Sequence, residues 1–148
     1  KGILKETPNE GQSLEIDAID YDTLIDAESA LPLEYESGAV YCMTKKTFMT
    51  YQGIKDASGQ PIARVNYGID GKPERVILCN YLPSFDTASS QEAFAFLFNF
   101  KDYVLNTNLN MTMKRYEDND TDDQVTKAIM LVDGKVLQKD SLVILKRA

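Results

Sequence analysis

Histidine is absent from the 148 residues, and so is tryptophan. The missing imidazole removes the commonest general base and the commonest transition-metal ligand together. Ser-His-Asp, Cys-His and zinc-histidine chemistry are therefore excluded. Cysteine is scarce as well: Cys42 and Cys79 are the two thiols, with no Cys-x-x-Cys pair. Both lie in apolar, strand-like runs, and the expectation is two free, buried thiols. Long apolar runs are missing too. A stretch such as "FAFLF" (Phe94–Phe98) is far too short to span a bilayer, and no signal peptide opens the chain. The chain begins at "KGIL" without an initiator methionine, which reads as a mature or excised fragment.

What is present is ordinary globular composition, 43% hydrophobic and 26% charged, enough for a single domain with a sizeable core. The net charge of −7 argues against a protein that grips phosphate backbones, so no sequence-specific nucleic-acid partner and no membrane partner is expected.

Residues 1–16 read as an opening extended segment. In "DAIDYDTLIDAESAL" the residues Ile16, Ile19, Leu24, Ala27 and Leu31 fall near helical spacing, with Asp17 or Asp20 as N-cap and Pro32 as terminator. "GAVYCM" predicts a strand over Ala39–Met43, and Thr44 predicts the N-cap of a second helix, "KKTFMTYQGI". "KDASGQPI" and "YGIDGKPE" are turns by composition, and "RVILCNYLP" is a strand closed by Pro83. In "AFAFLFNF", Phe94, Phe96, Phe98 and Phe100 alternate and are expected on one face of a strand covered on both sides. A base-stacking platform is the functional alternative, but it needs flanking cations and only Lys101 is near.

Leu109–Tyr116 and Gln124–Val132 both alternate and predict a long antiparallel hairpin. "DGK" (Asp133–Lys135) then reads as a tight turn before a last strand, "DSLVILK". Two short helices, a mixed and mostly antiparallel sheet and a long hairpin make an α+β fold.

The hairpin tip holds Glu117, Asp118, Asp120, Asp122 and Asp123, five acids in seven residues. An EF-hand starting at Asp118 needs Gly at its sixth position and Glu at its twelfth, where Asp123 and Ile129 stand. A looser calcium site remains, and with the sequons at Asn110 and Asn119 it defines the rival reading, a calcium-dependent binding domain. A catalytic carboxylate pair needs a pocket that drives two pKa values apart, and a polar tip offers none. The plain reading is a solvated, charged turn that discourages edge pairing. No cofactor and no metal ligand set is assigned.

Taken in order, "KGIL", "GAVYCMTKKTFMTYQGIKDASGQPI", "VILCNYLP", "FNFKDYVL" and "VDGKVLQKDSLVILK" resemble the C-terminal half of tailed-phage major capsid proteins of the Hong Kong 97 type. The resemblance covers nearly the whole chain. Asn99 stands where that family usually has Gly, Thr44 where Asn is usual, and Asn106-Thr107 where Asp-Arg is common. The resemblance implies a non-enzymatic shell subunit whose N-terminal arm, extended loop and spine helix precede Lys1. It implies an axial-type domain over residues 17–108, a peripheral-type hairpin over residues 109–132 with its acidic tip near a three-fold junction, and a returning strand over residues 133–148. The partners it implies are other copies of the chain, with a scaffold, portal or maturation protease. The location is the virion capsid, reached from the bacterial host cytoplasm. No Asn matches the acceptor of the family's Lys–Asn crosslink, which leaves that bond unassigned.

Overall fold

Every side chain from Phe94 to Phe98 is buried, and this strand sits at the centre of the molecule. The computed structural model describes residues 1–60, 76–118 and 123–148. In it, β4 (Ala93–Phe98) lies in a five-stranded sheet with β1 (Ser13–Ile16), β2 (Val40–Met43), β3 (Val76–Leu78) and β7 (Val143–Arg147), in the order β1-β7-β4-β2-β3. The β1–β7 and β2–β3 pairs are parallel, and β4 runs antiparallel to both of its neighbours. A separate two-stranded sheet is formed by β5 (Tyr103–Asp118) and β6 (Asp123–Val136).

Alternation divides the core between the two faces of the large sheet. Tyr41, Met43, Ala95, Leu97, Val143 and Leu145 meet Ala27 from the first helix, Leu31 just beyond its end, and Tyr51 from the third helix. Cys42, Phe96, Phe98, Leu142 and Ile144 meet Leu82 and Val136, with Ile3 and Tyr103 packed alongside. Both faces are thus covered, which explains why β4 is apolar at every position.

Helix α1 (Tyr21–Ser29) starts where Asp20 accepts a hydrogen bond from the Thr23 amide at 3.1 Å. Ile16 and Ile19 precede it: Ile16 pairs with Arg147 at the end of β1, so residues 13–16 are a sheet strand. Pro32 does not simply end the helical region. Its fixed φ suits a helix start, and it caps a one-turn α2 (Leu33–Glu36), a third helix that the periodicity did not reveal. Helix α3 (Lys45–Gln52) is capped by Thr44, as expected, and the Thr44 and Thr47 hydroxyls lie 2.9 Å apart. The turn after α3 is built by Asp56, whose carboxylate accepts from the amides of Ser58 and Gln60, both at 2.8 Å. The expected turn at "YGIDGKPE" lies outside the described residues.

Two further expectations are corrected. Phe94 does not share a face with Phe96 and Phe98. The pairing of β4 with β7 slips between Ala93 and Ala95, so two residues of β4 oppose one of β7. That bulge turns Phe94 to the helix side, where it packs edge-on against Phe85 with ring centroids 5.1 Å apart. Phe98 and Phe100 still meet on the other side at 5.6 Å. The second correction concerns Asp133–Lys135, which is strand and not turn. These residues pair with Val104–Asn106, and the hairpin extends beyond Leu109 and Val132 to Tyr103 and Val136.

Candidate subunit-contact surface

Among the described residues, the β5–β6 hairpin is anchored at its base. There Val136 is buried against Phe98 and Leu142, and the Tyr103 hydroxyl donates to the Lys1 carbonyl at 3.2 Å. The Lys1 backbone nitrogen in turn reaches the Gly134 carbonyl. Beyond the base, large apolar side chains stand in solvent on both strands: Leu105, Met113, Tyr116, Met130, Leu131 and Val132 are each more than half exposed. A two-stranded ribbon with both faces wet is marginal by itself. An apolar stretch of this extent, rimmed by charge, is the signature of a surface that another chain covers.

Of the five acids singled out in the sequence, Glu117 is exposed and pairs in register with Gln124. Asp118 pairs with Asp123 as the last rung. Asp120 and Asp122 lie outside the described residues. The ladder thus brings positions 118 and 123 together.

Sequence reasoning missed the next rungs. Tyr116 is opposite Val125, Lys114 is opposite Lys127, and Thr112 is opposite Ile129. Alternation assigns these rungs to one face of the ribbon. Counting inward from the tip would have found them, but the acid-rich run drew the reading to the loop. Among the described residues neither lysine takes part in an ion pair.

A cleft of about 270 Å³ opens beside the start of α1, lined by Leu14, Ile16, Asp17, Asp20 and Asp26. Its Asp20 carboxylate is committed to capping. Burial against apolar neighbours, with Cys79 beside it, pushes the Cys42 thiol up to about 12, which suppresses its thiolate at neutral pH. Both cysteines are free, as expected, but only Cys42 is buried; Cys79, expected buried too, is partly open to solvent just past the end of the sheet's edge strand. Among the described residues no three Cys, Asp or Glu side chains converge as a metal site, and no helix is long and apolar enough to cross a membrane.

The fold is that of viral shell proteins. The capsid of a native GTA particle matches with a TM-score of 0.70 at 20% identity, over 90% of this chain and 46% of the other. The capsid of an empty GTA particle matches at 0.68 and 20% identity, over 88% and 45%. A chain from Mycobacterium phage Ogopogo matches at 0.61 and 14% identity, over all of this chain and 56% of its own. The chain therefore spans about half the length of these solved relatives. No curated protein matches the sequence. The Phage capsid family model matches residues 1–147, and the chain belongs to that family.

Proposed function

We propose that this chain is the structural subunit of a phage or prophage capsid of the Hong Kong 97 type, acting by self-assembly and not by catalysis. Family membership across the whole chain carries the reading. The long, apolar, exposed hairpin supports it, because such a ribbon is stabilised when neighbours cover it. The order of motifs in the sequence adds the finer Hong Kong 97 assignment. On this reading residues 17–108 form the axial-type domain and residues 109–132 the peripheral-type hairpin. Other copies of the chain are the principal partners, and a scaffold, portal or maturation protease acts during assembly in the host cytoplasm.

The acids Glu117, Asp118, Asp120, Asp122 and Asp123 then lie at a junction between subunits. Several such tips within a Debye length of about 8 Å repel unless positive charge meets them. Assembly is therefore sensitive to divalent cations and to pH. No observation favours the calcium-dependent rival.

Electron microscopy of the complete gene product, expressed in bacteria alone and with its neighbouring genes, tests the function. Closed shells or capsomer rings are expected. A monodisperse protein that never assembles under either condition overturns the reading.

A further inference from the structure

One face of the hairpin holds three successive rungs: Tyr116 with Val125, Lys114 with Lys127, and Thr112 with Ile129. Tyr116 is 52% exposed and Ile129 41%, and both lysines stand in solvent. Two ammonium groups set directly opposite each other weaken the ladder that carries them. Among the described residues neither has an anionic partner. The face therefore presents uncompensated positive charge beside an open aromatic ring.

The opposite charge is collected elsewhere on the same chain. Between Glu6 and Thr44 the sequence holds ten acids and no lysine or arginine. Among the described residues, Glu6 is the only one of the ten that enters an ion pair. The exposed carboxylates of Glu15, Asp17, Asp22 and Asp26 surround the cleft beside the start of α1. Its wall includes the buried Ile16 and the half-buried Leu14, and its volume of about 270 Å³ has room for an aromatic side chain.

We infer that the hairpin of one copy docks on this cleft of a second copy, with Tyr116 inserted between the carboxylates and Lys114 and Lys127 against the acidic rim. The inference rests on the assembly role proposed above and names the two surfaces that meet. An aromatic anchor in a pocket, ringed by polar contacts, is the usual anatomy of a strong contact point. The lysine rung lies about 7 Å from the Tyr116 rung along the ribbon, so a ring inside the cleft leaves the ammonium groups at its edge. There the unpaired lysines and the unpaired carboxylates satisfy one another. A chain of net charge −7 repels its own copies at long range, and this contact brings its opposite charges face to face. The other face of the ribbon offers no such match: its rungs are Glu117 with Gln124, Arg115 with Thr126 and Met113 with Ala128. Because hairpin and cleft are different surfaces, the contact repeats head to tail and closes as a ring when the rotation allows.

Exchanging the charges tests the contact. Sedimentation velocity of the 148-residue chain at low salt is expected to show reversible, concentration-dependent association. Lys114→Glu with Lys127→Glu on the hairpin, or Asp17→Lys with Asp26→Lys at the cleft, each weaken it by about tenfold or more, because like charges now meet. Mixing the two variants restores association, since the hairpin of each then suits the cleft of the other. Tyr116→Ala, which leaves every charge in place, also weakens it by about tenfold or more. Circular dichroism verifies that each variant is folded, and Lys114→Gln with Lys127→Gln replaces a reversed hairpin that is not. A wild-type chain that stays monomeric throughout the concentration range overturns the contact. So does a mixture as weak as its components, the result expected if the lysines face nucleic acid or another protein. The same variants in the complete gene product separate the two readings. Normal shells from either charge-reversed variant refute the contact and leave the capsid function standing. Failure of the unaltered protein to form any shell refutes the capsid function, and the contact is still judged in solution.

Discussion

The ring of Tyr103 lies directly over Gly134. A methyl group built on Gly134 would sit 2.7 Å from the ring carbon Cζ, well inside contact distance. The two residues stand diagonally across the hairpin base, Tyr103 opposite Val136 and Gly134 opposite Leu105. The absent side chain leaves the room that the ring fills, and the Tyr103 hydroxyl gains the Lys1 carbonyl. Gly134→Ala therefore displaces the ring and destabilises the protein by about 1–3 kcal/mol. Urea denaturation checks this. In a Tyr103→Ala background the same change costs much less, because the clash is gone.

Thr47 is buried beneath the loop that precedes β4, and its hydroxyl has two tasks. It accepts from the Phe85 amide at 3.1 Å and meets the Thr44 hydroxyl at 2.9 Å. Thr47→Val keeps the shape and leaves the Phe85 N–H without its partner, a loss of about 1–3 kcal/mol. Thr47→Ser retains the oxygen and loses less. The midpoints of chemical denaturation rank the three proteins.

Glu6 is buried between two ammonium groups, with Lys1 Nζ at 3.1 Å and Lys139 Nζ at 3.8 Å. The hydrogen bond from Lys1, reinforced by the charges of Lys1, Lys139 and Lys135, holds its carboxyl below the ordinary value of 4.5. A carboxyl depressed in the folded state stabilises the fold above its unfolded pKa, and that stabilisation fades as pH falls through the folded one. Glu6→Gln is accordingly less stable than wild type at neutral pH. The gap narrows steadily below pH 4.5. Thermal melts across an acid series measure the narrowing, and a gap independent of pH contradicts the ion-pair account.

Alkylation should separate the two thiols. Cys42 is 4% exposed with its thiol raised to about 12, whereas Cys79 is partly open to solvent. Iodoacetamide at mildly alkaline pH is expected to modify Cys79 first and to reach Cys42 only on unfolding. Peptide mass mapping over time reads the order. Equal rates in the folded protein would contradict the burial of Cys42.

Local chemistry was legible in the sequence wherever the deciding atoms are close in the chain. The Asp20 and Thr44 caps and the Asp56 turn each involve a side chain and an amide two to four residues away, and they were read correctly or nearly so. Features decided by distant partners were not. Phe94 changes face because β7 imposes a bulge, and "DGK" stays in a strand because Tyr103 reaches across to Gly134. Residues 13–16 become a strand only because β7 offers a parallel edge. In the contact surface, the acids were visible as a run, whereas the lysine rung appears only once the register sets Lys114 opposite Lys127.

The parallel pairing of β1 with β7 also governs when the protein can fold. Ser13 joins Ile144, nearly the whole chain away, and β7 separates β1 from β4 in the sheet. Translation produces β7 after every other strand of that sheet. Until it emerges from the ribosome, β1 and β4 have no common neighbour, and the apolar faces of β4 stay unpaired along that edge. Contacts this distant form late and slowly. Chains cut short of β7 therefore lack the strand that joins β1 to β4, and they are expected to be more open to proteolysis than the complete chain.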